Sequence, residues 1–120
     1  MNEVVNLKEK FGLFDSLWEP KIIAGINDYH VKLAKVRGSF EWHTHPETDE
    51  MFLVVAGRLS IELPDGTAEL GEGDLYVVPK GVRHKPVAEE ECHILMLEPA
   101  DTVNTGDAGG DRTVVRPERI

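Results

Sequence analysis

Three imidazoles and one carboxylate suggest the chemistry of this chain: His43, His45, Glu50 and His84. His43 and His45 are separated by one residue. On a strand, side chains alternate faces, so both would point the same way. Their Cα atoms would then lie roughly 6–7 Å apart, close enough for two rings to converge on one ion. Glu50 follows His45 across a short connection containing Pro46. If the strand resumes there, its carboxylate faces inward with Phe52 and Val54. His84 follows the turn Pro79-Lys80-Gly81, which re-aims the chain toward the same interior. Imidazole and carboxylate are ligands for Zn, Fe, Mn, Ni or Cu. A structural zinc site usually closes its shell with thiolates, and this group has none. Three histidines and a carboxylate leave one or two positions open on a six-coordinate ion, where chemistry can occur.

The elements that must carry these residues are short. Asn6 to Phe14 has Leu7, Phe11 and Phe14 at helical spacing, with Asn6 as cap and Glu9 three residues on, which predicts one short helix. Beyond Pro20 the pattern turns to β-like runs at 21–25, 29–37, 50–56, 58–63, 67–70, 75–78 and 91–98. Arg58 to Leu63 alternates, with Leu59, Ile61 and Leu63 on one face. Pro64-Asp65-Gly66-Thr67 is a turn, since Pro presets φ and Gly tolerates positive φ. Many short strands divided by Gly and Pro predict an all-β sandwich or barrel. The expected organisation is a helical segment over 1–19, a β-barrel over 20–100 and a tail over 101–120. The tail is polar and rich in glycine, and its path, outside its own barrel or along a neighbouring subunit, is left open.

The chain has 120 residues, enough for one domain with an unstapled core. Its net charge is −9, from 13 basic and 22 acidic residues, with no basic cluster. Nucleic acid and anionic membranes are therefore poor partners, whereas a small-molecule ligand is not excluded. No apolar run reaches the roughly 20 residues that span a bilayer. No signal peptide is visible at the start, and the single cysteine, Cys92, cannot form an intramolecular disulfide, so a cytoplasmic location is expected. Cys92 is read as a small buried hydrophobe. Trp42, Phe40, Phe52 and Met51 are read as core or interface residues, with Trp42 a possible pocket wall. Glu41 and Glu47 flank the histidines. His30 and His93 are read as structural, and Arg58 and Lys80 as surface groups.

The spacing Gly38-x4-His43-x-His45-x4-Glu50-x6-Gly57 resembles the first motif of the cupin superfamily, and Gly73-x5-Pro79-x-Gly81-x2-His84 resembles the second. The first glycine sits one residue closer to His43 than is usual. Ala88 stands where the second motif often carries asparagine. The resemblance covers about Tyr29 to Pro99. It implies a double-stranded β-helix, or jelly-roll, with the metal held inside one wide end on His43, His45, Glu50 and His84. Single-domain cupins of this kind are often homodimers, and a homodimer is expected here. Some are similar to sugar-phosphate isomerases, the mannose-6-phosphate isomerase-like group among them. Others are similar to dioxygenases, decarboxylases or non-catalytic binders. The leading expectation is a cupin with a divalent ion (Zn, Fe, Mn or Ni) that acts on, or binds, a small polar molecule, in an isomerase-like Lewis-acid reaction. The alternatives are a small-ligand-binding cupin without turnover and an Fe-dependent dioxygenase. No residue of the sequence names itself as the general base.

Overall fold

The computed structural model describes residues 3–120. Helix α1 (Leu7–Phe11) opens at Asn6, whose side-chain oxygen accepts the Glu9 N–H at 2.9 Å. It stops at Gly12, short of Phe14, because glycine is a poor helix former and its N–H already bonds back to Lys8 and Glu9. Phe11 is the buried residue of the helix, and its ring stacks on His93 with centroids 4.7 Å apart.

Eight strands follow: β1 (Lys21–Ile26), β2 (Tyr29–Ser39), β3 (Glu50–Ala56), β4 (Leu59–Leu63), β5 (Gly66–Leu70), β6 (Leu75–Val78), β7 (Lys85–Pro99) and β8 (Glu118–Arg119). They run β5-β4-β7-β2-β1-β8, with β3 pairing both β7 and β6. β7 is the organiser. Along one edge it pairs with β2; along the other, it pairs with β4 near its start and with β3 near its end. All ladders are antiparallel except that between β1 and β8. The sheet therefore rolls on itself into a jelly-roll barrel.

β7 begins at Lys85, six residues before the run that the sequence pattern marks. Pro86 lacks an N–H, and Glu89, Glu90 and Glu91 interrupt the alternation. In the ladder Val36 faces Cys92 but Gly38 faces Ala88, so the three glutamates bulge out opposite Arg37. The strand continues through the bulge because its two halves have different partners.

The core is the inward face of these strands: Ala34 and Val36, Phe52 and Val54, Leu59 and Ile61, Leu70, Val78, Ile94 and Met96. Burying each large apolar side chain there contributes about 1.5–3 kcal/mol. The period of two continues past the apolar residues. On β2 it brings Lys32 inward, and on β7 it brings Glu98 inward, each fully buried. Residues 101–120 form only β8, yet they pack on their own barrel. Thr105 is fully buried, and Asn104 bonds the Arg112 carbonyl and the Val114 N–H. Among the described residues no helix is long and apolar enough to cross a membrane.

Candidate metal centre

Two loops carry three of the four sequence-predicted residues and strand β3 the fourth, and the backbone stitches the loops together. The 40–49 connection, between β2 and β3, holds His43 and His45; the turn after β6 leads to His84. His43 and His84 form a single antiparallel rung, each N–H donating to the other's carbonyl at 2.9 Å. The Gly81 N–H donates to the His45 carbonyl at 3.0 Å, and the Lys80 N–H to the Asp49 carboxylate at 2.8 Å. Gly81 has φ +80°, in the left-handed region that a side chain disfavours, and so lets the turn close onto His45. Glu50 is the first residue of β3.

One ligand atom from each of His43, His45, Glu50 and His84 lies within 4.8 Å of the other three, and all four residues are buried. The Nδ1 atoms of His43 and His84 lie 2.9 Å from the carbonyls of Glu41 and Val82. Those carbonyls can only accept, which assigns the proton to Nδ1 and leaves Nε2 as a lone pair facing the cluster. His84 Nε2 is 3.3 Å from Glu50 Oε1, and His45 Nε2 is 3.4 Å from Glu50 Oε2. His45 Nε2 is buried and has no well-directed hydrogen bond. Backbone-anchored imidazoles around a carboxylate, with an orphaned nitrogen, fit a divalent cation.

The charge states suit that role. Burial, and then the neighbouring His84, lowers His43 to about 4, so its imidazole is neutral at pH 7. For Glu50, burial pushes upward, but the neighbouring imidazoles of His45 and His84 outweigh it and hold the carboxyl at about 2. The set presents one fixed negative charge and ring nitrogens, the forms that ligate.

The cluster borders a cavity of about 30 Å³, room for about two waters at ~10–15 Å³ each. Its walls include Trp18, Val36, Phe40, Phe52, Ile94 and Met96, and its polar groups come from His43, Glu50, Glu98 and Asn104. Trp18 has φ +61°, which is unusual for a non-glycine residue. Its ring stacks on Phe40 at 4.7 Å, and its Nε1 donates to the Arg37 carbonyl at 2.9 Å.

Glu98 is the functional candidate that the sequence reading missed. Extending the Met51–Leu97 rung by one step sets it opposite Glu50. Its Oε2 is buried without a hydrogen-bond partner, and Lys32 Nζ lies 3.9 Å away, too far to donate well. Burial and the Glu50 charge push its carboxyl well above the usual range, against the pull of Lys32. The signal for it was present: an acid continuing the inward alternation Cys92, Ile94, Met96.

The other singled-out residues lie elsewhere. Trp42 does not wall the cavity; it packs under the Arg83 guanidinium at 4.5 Å. Glu41 pairs with Arg112, while Glu47, Arg58 and Lys80 are exposed. His93 pairs with Glu91 and stacks on α1. Cys92 is buried, and burial raises its thiol to about 11, which rules it out as a ready thiolate.

The sequence profile described as Cupin domain matches residues 29–98. A cupin-2 domain-containing protein from Shewanella frigidimarina is 51% identical, with a TM-score of 0.79, over 80% of this chain and 94% of that one. The protein NMB1881 from Neisseria meningitidis is 33% identical, with a TM-score of 0.74, over 81% of this chain and 99% of that one. The uncharacterized protein YdbB of Bacillus subtilis is 42% identical over 64 residues, which span 52% of this chain and 57% of that relative's length. The matched span contains His43, His45, Glu50 and His84 together with the strands that present them, and this chain belongs to the cupin domain family.

Proposed function

We propose that this cupin holds one divalent ion on His43, His45, Glu50 and His84 and acts on a small molecule that brings an oxygen atom to that ion. The observation that carries the reading is a buried carboxyl, Glu98, with an unpartnered oxygen, lining the same cavity as Glu50 and His43. A bound Zn, Fe, Mn or Ni ion would supply Lewis-acid polarisation of a ligand oxygen. The chain's own residues supply the rest. Phe40, Phe52 and Met96 keep bulk water from the cavity, which strengthens electrostatic interactions there. Burial and the nearby Glu50 favour the protonated form of Glu98, whose carboxyl would give a proton to a ligand oxygen or recover it, the role of a general acid and base. This supports the isomerase-like version, in which a proton moves beside a polarised carbonyl. The walls favour a ligand with an apolar body and a polar end over one that is polar throughout. The 30 Å³ volume suits a ligand that places only a few atoms inside the cavity.

Apolar walls also support a second reading, a binding cupin without turnover. The two separate by experiment. Protein purified without an affinity tag should carry close to one metal ion per chain by elemental analysis, and His45→Ala should lose it. The metal-loaded protein is then incubated in D2O with short alkyl hydroxyketones, and the carbon-bound protons next to the carbonyl are followed by NMR. Exchange by the wild type that Glu98→Gln abolishes supports proton transfer. A metal-loaded chain that exchanges none of them supports binding alone. Oxygen uptake by an iron-loaded chain would support the dioxygenase alternative instead.

A further inference from the structure

The segment after β7 lies outside the family match, yet it grips the loop that carries two of the four candidate ligands. Thr44 stands between His43 and His45. Its N–H donates to Asp107 Oδ1 at 2.7 Å, and its carbonyl accepts the Asp107 N–H at 3.1 Å. One aspartate thus holds both backbone polar groups of the residue between two imidazoles. The neighbouring Gly106 comes closer still. A Cβ there would sit 2.3 Å from the Thr44 oxygen and 3.2 Å from His43 Cδ2, so no side chain fits. The grip is itself anchored. The Gly106 N–H donates to the Val103 carbonyl and the Ala108 N–H to the Thr105 carbonyl, each at 2.9 Å. Thr105 is fully buried and shares a 2.7 Å hydrogen bond with Thr113.

We propose that Gly106 and Asp107 form a latch that sets the spacing of His43 and His45 for the metal, Asp107 by bonding the Thr44 peptide and Gly106 by letting the segment reach it. The proposal rests on the metal-binding reading of the site. Without the latch only the His43–His84 rung and the Gly81–His45 bond hold this stretch, and the angle between the two imidazoles is less tightly fixed. Groups that orient ligands without touching the metal typically change its affinity by ~10–100-fold.

The test titrates the metal-free full chain with Zn²⁺ against a chromophoric chelator. Melting of the metal-free form and exchange of the Thr44 amide by NMR are measured beside it. Asp107→Ala should weaken zinc binding by about tenfold, speed Thr44 exchange and leave melting of the metal-free chain nearly unchanged. Asp107→Asn keeps an acceptor oxygen and should stay within about threefold of wild type. Gly106→Ala should weaken binding at least as much as Asp107→Ala. An Asp107→Ala chain that binds zinc as tightly as wild type, while His45→Ala does not, overturns the latch and spares the metal site. Wild type that binds zinc no better than His45→Ala overturns both. A fall in melting temperature that accounts for the whole loss of affinity reduces Asp107 to a structural residue and also overturns the latch.

Discussion

Glu50 and Glu98 face each other at one end of the barrel interior, 3% and 2% exposed, and their surroundings push them in opposite directions. Around Glu50 are two imidazoles within 3.4 Å, and they keep its charge. Around Glu98 are Lys32 Nζ at 3.9 Å, the negative Glu50 and an oxygen with no donor, and its protonated form is favoured. Burial is equal, so burial does not set the charge. The neighbouring groups do: two imidazoles beside Glu50, and the Glu50 charge beside Glu98. A pair of carboxyls split in this way offers one group to hold a cation and one to hold a proton.

The largest effect should come from removing the charged member. Glu50→Gln should weaken metal binding by more than the ~10–100-fold typical of an outer partner, whereas Glu98→Gln should stay within that range. Elemental analysis after dialysis checks both, and equal losses would erase the distinction.

Next in size is the pH dependence of the metal-free chain. His43 sits at about 4 in the fold against an ordinary 6.5. Between those values the unfolded chain binds more protons, so stability falls as pH drops from 6.5 toward 4, by of order 3 kcal/mol. Glu50, at about 2 against 4.5, adds loss of the same sign below pH 4.5. Glu98, shifted upward, has the opposite sign: its contribution is full below the ordinary carboxyl range and fades as pH rises through its folded value. Urea unfolding across pH 3–8 reads these slopes, and a flat profile between 4 and 6.5 would contradict the burial of a neutral His43.

The smallest effect should be on stability at neutral pH in Glu98→Gln. Replacing a neutral acid with a neutral amide of the same shape should change it by less than about 1 kcal/mol. A much larger change in urea unfolding at pH 7 would show that Glu98 is ionised beside Lys32.

Much of the architecture was readable one residue at a time. The alternation at Leu59, Ile61 and Leu63 needs only the period of a strand, and Glu50–Ala56 and Leu75–Val78 are bounded by turn residues. Asn6 and Glu9 announce the helix start. The end of α1 and the start of β7 were less legible. One depends on how Gly12 closes the last turn, and the other on a bulge that only the β2 ladder defines. In the site, the four metal candidates could be read because their types are rare and their spacing is regular. Glu98 and Lys32 were legible only through the inward alternation of their strands, a weak signal, since an acid or a lysine near a strand end is usually solvated.

What the sequence alone determined here is local: which residues alternate, where the chain turns, and which imidazoles share a face. The meeting of His43 with His84, the upward push on the Glu98 carboxyl and the contact of Asp107 with Thr44 were decided by tertiary structure. Each depends on the distance between groups far apart along the chain, and on how much water lies between them. Neither quantity exists until the sheet has rolled up.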